Sequence, residues 1–114
     1  TTYVALKYGD LESTATVSKN TVSVPADSSS AGLRLGDRLT LQDLLYGLIL
    51  RSGNDAAIVL ATYIGGTEEN FVAMMNSKAK EIGMTHIYLN RKKISHNEKL
   101  DYEIYDLIEI CDII

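Results

Sequence analysis

Residues 44–66, LLYGLILRSGNDAAIVLATYIGG, constrain the fold more than any other stretch. They form the most apolar run in the chain, yet Arg51-Ser52-Gly53-Asn54-Asp55 cuts through its middle. Leu41, Leu44, Leu45, Leu48 and Ile49 recur at i, i+3, i+4, i+7 and i+8, the spacing of a core-facing helical stripe. Thr40-Leu41-Gln42-Asp43 ahead of them matches a capping box. Ala56 to Ile64 is apolar on nearly every side, which is tolerated in water only by a helix surrounded by protein, and Gly65-Gly66 closes it. Between the two, Gly53 permits a sharp change of direction, Ser52 or Asn54 can cap the second helix, and the Asp55 carboxylate suits its positive end. The expectation is two apolar helices joined by a short, rigid, polar turn. Each apolar run falls short of the roughly 20 residues that span a bilayer, so no transmembrane helix is expected.

The flanking segments carry weaker signals. Residues 1–8 fit the tail of a helix that Gly9 ends as a C-cap. Thr14 to Val24 alternates in two pieces, Ala15/Val17 and Val22/Val24, around Ser18-Lys19-Asn20, which predicts short extended segments at a turn. In AGLRLGDRLT, Gly36-Asp37 stands between two β-prone pieces as a hairpin-like connection. Thr67-Glu68-Glu69 opens a further helix with Phe71, Met74, Met75, Ala79 and Ile82 on one face and Gly83 as its stop. A last helix is expected from Asp101, with Ile104, Leu107, Ile108, Cys111 and Ile114 on one side and Cys111 a small buried hydrophobe. Arg91-Lys92-Lys93 reads as a solvated loop.

The fold class is therefore mainly α with a small β appendage. Residues 1–114 form a single partial domain: 1–39 hold the end of a helix, short extended segments and a hairpin-like turn, and 40–114 a helical subdomain. Thr1-Thr2-Tyr3 and Cys111-Asp112-Ile113-Ile114 both look like cut ends, and the N-terminus has neither the basic region nor the cleavage site of a signal peptide. A formal charge of −4 offers no basic field for nucleic acid. His86 and His96 sit in no pair or cluster with metal-ligand spacing, and Cys111 has no second cysteine to pair with, so no metal, cofactor or internal disulfide is expected.

Rigid polar groups beside an apolar wall are what acyl-transfer sites use to move protons and orient a substrate amide. The stretch LTLQDLLYGLILRSGNDAAIVLATYIGGTEENFVAMMNSKAKEIGM resembles the S-x-N region of low-molecular-mass penicillin-binding proteins, the serine-type D-alanyl-D-alanine carboxypeptidases; VSKNTVSV and SSSAGLRLGDRLT resemble the same family. That family shares its α+β fold with serine β-lactamases and uses S-x-x-K, S-x-N and K-T-G. Ser52 and Asn54 match S-x-N at both defining positions. The resemblance implies that Ser52 relays a proton between the catalytic lysine and the leaving group, while Asn54 hydrogen-bonds the substrate backbone and helps hold that lysine.

TTYVAL resembles residues just after the S-x-x-K lysine, which would place the nucleophile upstream of Thr1. Ser77-Lys78-Ala79-Lys80 also spells S-x-x-K, but it follows S-x-N instead of preceding it and lies on the polar side of an amphipathic helix; it reads as a chance match. K-T-G does not occur, and a serine without a base is a poor nucleophile, so Ser52 is not assigned that role. From Thr85 onward the resemblance thins: Thr85, His86, Tyr105, Asp106 and Leu107 fit, and Asn90 fits with one residue inserted before it, whereas Arg91-Lys92-Lys93 stand where a Pro, a variable residue and a Gly are expected, so the tight turn there is expected to change.

The reading this supports is part of a hydrolase that removes the terminal D-alanine of peptidoglycan pentapeptides through an acyl-enzyme and binds penicillins, with this stretch inactive alone. Its implied partners are peptidoglycan peptide stems and β-lactams, at the extracytoplasmic face of the bacterial cell envelope. A class A-like β-lactamase would carry Asp in place of Gly53 and an E-x-x-L-N segment absent here. The remaining alternative is a noncatalytic helical module. Helix faces that would otherwise pack on a β-sheet predict self-association of the isolated chain.

Overall fold

A computed structural model describes residues 1–19, 24–85, 87–93, 95 and 101–113. They group into two units, Thr1–Met75 and Asn76–Ile114.

In the first unit, α1 (Thr2–Tyr8) leads into β1 (Thr14–Thr16); β2 (Arg38–Thr40) follows and runs directly into α2 (Leu41–Arg51), then come α3 (Asn54–Gly65) and the start of α4 (Glu68–Glu81). The capping box is formed: Asp43 N–H donates to Thr40 Oγ1 at 3.2 Å and Thr40 N–H to the Asp43 carboxylate at 3.4 Å. Leu41, Leu44 and Leu45 are buried and Leu48 packs against them, but Ile49, at the far end of the expected stripe, is 62% exposed. On α3, Ala56, Val59, Leu60 and Ala61 are buried, while Tyr63 faces solvent. Two sides of α3 are used. One packs with α2, Ala5, Ala15 and Val17; the other joins a second cluster through Ala61, with Val4, Phe71, Met74 and Met75. Gly66 closes α3 at φ 79, and the Thr67 hydroxyl accepts from Asn70 N–H at 3.1 Å to open α4.

Gly9 ends α1 as expected but with an extended backbone, φ −93, so left-handed freedom is not why glycine stands there. A Cβ would lie 2.6 Å from the Ala5 carbonyl oxygen and 2.8 Å from Leu41 Cδ2, and glycine lets the chain leave the helix through that gap.

The expected local hairpin at Gly36-Asp37 is corrected. Those residues do turn, with Gly36 at φ 87 and Asp37 N–H donating to the Arg34 carbonyl. However, β2 pairs antiparallel with β1, Thr14 opposite Thr40 and Thr16 opposite Arg38. Pairing with β1 sets Leu39 opposite buried Ala15 beside the core, a burial that a strand folded back on Leu33–Leu35 would forgo. The extended piece expected around Val22 lies outside the described residues.

In the second unit α4 ends as predicted. Gly83 takes φ 86, and Met84 N–H reaches the Ala79 carbonyl while Gly83 N–H reaches that of Lys80, a Schellman closure. Beyond it the expected final helix is replaced. Tyr102–Ile104 form β4, paired in parallel with β3 (Ile87–Leu89), and only afterwards does a 3₁₀ helix, Leu107–Asp112, begin. The start moves because Asp106 and Glu109 make a capping box of their own, Asp106 Oδ1 accepting from Ile108 N–H and the Glu109 carboxylate from Asp106 N–H. With the helix shortened, Ile104 is buried but Leu107 and Ile108 are exposed, and Cys111 is exposed instead of buried. Ile114 lies outside the described residues.

Arg91, Lys92 and Lys93 are exposed, as a solvated loop should be. The turn is nevertheless kept: Lys93 N–H donates to the Asn90 carbonyl at 3.1 Å, and Lys93 itself takes φ 52, the conformation a glycine would supply. Its ammonium sits 5.4 Å from the centre of the Tyr105 ring, within cation–π range.

Candidate functional site

The polar break of the sequence becomes the tight connection between α2 and α3. Ser52 caps α2 in the left-handed region, φ 51 and ψ 40, with its N–H on the Gly47 carbonyl, and Gly53 N–H reaches the same oxygen at 3.2 Å. A non-glycine residue there carries strain, and such outliers gather where a side chain is needed in place. Gly53 is buried. A Cβ on it would lie 3.0 Å from Ala31 Cβ, from Asp55 Oδ1 and from the Gly47 carbonyl, so a side chain there requires those neighbours to give by a few tenths of an ångström. Neither Ser52 nor Asn54 caps α3 with its side chain; the N-cap is Gly53.

What holds the turn comes from a distant part of the chain, the strap 29–33. The Ser29 hydroxyl donates to the Ser52 carbonyl at 2.6 Å. The Ser29 carbonyl accepts from Asn54 N–H at 3.0 Å and from Asn54 Nδ2 at 3.3 Å. Ser52 and Asn54 thus share one partner. Asp55, 2% exposed, receives the rest of the strap: Ala31 N–H on Oδ1 at 2.8 Å, and the Ser30 hydroxyl at 2.7 Å and Leu33 N–H at 3.0 Å on Oδ2. Burial pushes this carboxyl up, but those bonds, with a further one from Ala56 N–H, outweigh burial and hold it below the ordinary carboxylate value.

Asn54 opens onto a groove of about 450 Å³. Ala57, Ile58 and Ala61 of α3 and Phe71, Val72 and Met75 of α4 form its apolar wall, with Thr1, Ser28 and Glu68 among its polar margin. The apolar helices at the groove are therefore α3 and α4, not α2 and α3. Ser52 is exposed and is not one of the residues lining this groove. A hydroxyl that can both donate and accept and a carboxamide at a groove edge suit proton relay and the orientation of an amide.

The second S-x-x-K stands apart. Ser77 and Lys80 are both exposed, without the enclosed apolar surroundings that activate a catalytic lysine. Lys78 departs from the polar-face expectation: it is 5% exposed, and its ammonium pairs with Glu81 at 2.7 Å. His86 and His96 lie outside the described residues.

The sequence reading missed Ser29 and underread Asp55. The run Ser28-Ser29-Ser30 entered only as part of a stretch resembling the family, and Asp55 only as a dipole partner. The available signal was an acid placed one residue inside an apolar helix, where a carboxylate needs donors that its own helix cannot fully provide.

The profile of the D-alanyl-D-alanine carboxypeptidase family matches residues 1–107. Over 59 residues the chain is 46% identical to the D-alanyl-D-alanine carboxypeptidase DacC of Escherichia coli, covering 52% of this chain and 15% of that protein. The crystal structure of a D-alanyl-D-alanine carboxypeptidase from Mycobacterium tuberculosis superposes with TM-score 0.68 at 38% identity, covering 75% of this chain and 31% of the other. That of DacD from Francisella tularensis superposes with TM-score 0.67 at 31% identity, covering 85% and 24%. The fold is the mainly helical part of the penicillin-binding-protein architecture. The chain belongs to the D-alanyl-D-alanine carboxypeptidase family, which sets aside the β-lactamase reading. It spans 15% of the curated relative and between 24% and 31% of the solved chains.

Proposed function

We propose that residues 1–114 supply the S-x-N wall of a serine-type D-Ala-D-Ala carboxypeptidase, which removes the terminal D-alanine of peptidoglycan pentapeptides through an acyl-enzyme. The observation that carries this reading is Ser52 held at φ 51 in a turn whose next polar side chain, Asn54, edges an apolar groove. In this reading Ser52 passes a proton between the catalytic lysine and the leaving nitrogen. Asn54 hydrogen-bonds the substrate backbone and steadies that lysine. The nucleophilic serine and lysine belong to an S-x-x-K preceding Thr1, and Thr1 lines the same groove as Asn54, so chain entering there would reach the site. Penicillins would acylate the same serine, because they mimic the D-Ala-D-Ala amide.

The proposed place of work is the extracytoplasmic face of the cell envelope. No helix among the described residues is long and apolar enough to cross a membrane. We also propose that the isolated chain self-associates through apolar side chains left in solvent, among them Leu6, Tyr46, Ile49 and Leu50.

Intact mass after incubation with a penicillin tests the assignment. The 114-residue chain should gain no adduct, whereas the full-length protein should gain one, slowed about 100-fold or more by Ser52→Ala as for the loss of a proton-transfer partner. A covalent adduct on these residues, or an acylation rate indifferent to Ser52→Ala, would overturn it.

A further inference from the structure

Asp55 takes no part in the chemistry above, yet it is among the most enclosed polar side chains of the first unit. Burying a carboxylate is costly unless its acceptor sites are filled, and here Ser30, Ala31, Leu33 and Ala56 all donate to it. Three of those donors lie on the strap 29–33. Gly32 N–H also donates to the Ser30 hydroxyl at 3.0 Å, which knits the strap to itself at the point where it meets Asp55. One residue before this anchor, Ser29 grips both motif residues, the carbonyl of Ser52 and the backbone and side-chain amides of Asn54. Ala31 bears on the middle of the turn, since a Cβ added at Gly53 would meet its methyl at 3.0 Å. The chain of contacts runs from carboxylate to strap to turn without a gap.

We propose that Asp55 is a positioning residue for the S-x-N turn: acting through the strap 29–33, it fixes the backbone of Ser52 and the carboxamide of Asn54. The catalytic consequence rests on the function proposed above; the structural half does not. Ser29 is the link. Its hydroxyl and carbonyl convert a strap anchored by Asp55 into a fixed orientation of the Asn54 amide, with Nδ2 engaged and the amide oxygen left to the site.

Two variants separate the parts. Ser29→Ala deletes the bond to the Ser52 carbonyl and leaves the Asp55 bonds in place. Asp55→Asn keeps the shape, but whichever oxygen becomes nitrogen, two of the four donors lose their acceptor. In ¹H–¹⁵N spectra of the 114-residue chain, both should shift the Asn54 side-chain amide and the Gly53 and Asn54 backbone amides, while the Asp43 amide at the start of α2 stays in place and reports a folded chain. In the full-length protein each should slow penicillin acylation about tenfold, the scale of a modest loss of orientation. The double variant should be no slower than the slower single, because both act through one strap.

A folded Asp55→Asn chain with unmoved Asn54 signals overturns the proposal, as do single-variant losses that simply multiply in the double. If Asp55→Asn does not fold, Ser30→Ala, which removes one strap donor from the Asp55 carboxylate without touching Asn54, decides by the same signals. Full-length wild-type protein that takes no acyl group sinks the functional reading, and the spectra still decide whether Asp55 positions the turn.

Discussion

Ser52 is held in a backbone conformation that glycine adopts without penalty. If its side chain serves chemistry and not folding, Ser52→Gly should leave the chain as stable as before or up to about 1 kcal/mol more stable, since relief of strain offsets the greater entropy of an unfolded glycine. Urea unfolding of the two chains checks this, and a loss beyond about 1 kcal/mol would show that the hydroxyl is part of the fold. At Asp55 the consequence is a dependence on pH. Its carboxyl is held below the ordinary value in the folded chain, so the unfolded chain binds the proton first as pH falls. The stabilisation it gives is complete above the ordinary carboxylate value of about 3.9 and fades as pH drops through the lower folded value. The stability gap between wild type and Asp55→Asn should therefore be constant near neutrality and narrow below about pH 4, whereas a gap that widens in acid would reverse the sign assigned here.

At the scale of elements, the stripe on α2 and the all-round apolar α3 were legible because each follows from spacing alone. What spacing left open was how far along the stripe neighbours extend. Leu45 is buried and Leu50, five residues on, is 74% exposed. Leu60→Ala, in the middle of α3 and without solvent contact, should cost about 2–5 kcal/mol, while Leu50→Lys should change stability by about 0.5 kcal/mol or less. Thermal or urea unfolding distinguishes the two, and equal costs would mean that Leu50 is covered in solution. The final segment misled for a related reason. Ile104, Leu107, Ile108 and Cys111 do recur at helical intervals, but parallel pairing of Tyr102–Ile104 with Ile87–Leu89 captures the first of them, and the Asp106–Glu109 box restarts the helix three residues later. Short strands of three residues carry little periodicity, so β3 left no trace in the pattern.

For the whole molecule, the chain spans 15% of a curated relative and 24% of a solved one, and apolar side chains such as Leu6 and Ile49 stand in solvent. Leu6, Leu11, Tyr46 and Ile49 line an open groove of about 210 Å³ between α1 and α2. Sedimentation of the isolated chain should show an average mass that rises with concentration, and Ile49→Lys together with Leu6→Glu should lower it; a monodisperse monomer across the range would count against association through this face. In the proposed reading the turn does not act alone, since Ser52 and Asn54 serve a nucleophile other than Ser77.

The sequence by itself determined the two apolar helices, the capping box of the first, the polar turn between them and, by its likeness to S-x-N, the candidate pair Ser52 and Asn54. Those features are local, set by periodicity, glycine and capping chemistry over a few residues. Only the tertiary structure decided that Ser52 is left-handed, that β2 pairs with β1, that Asp55 faces a strap more than twenty residues away in sequence, and that α4, not α2, completes the groove beside Asn54. Each of these depends on which distant donor or apolar face arrives at a given position, and that is settled when the whole first unit satisfies its buried polar groups and closes its core together.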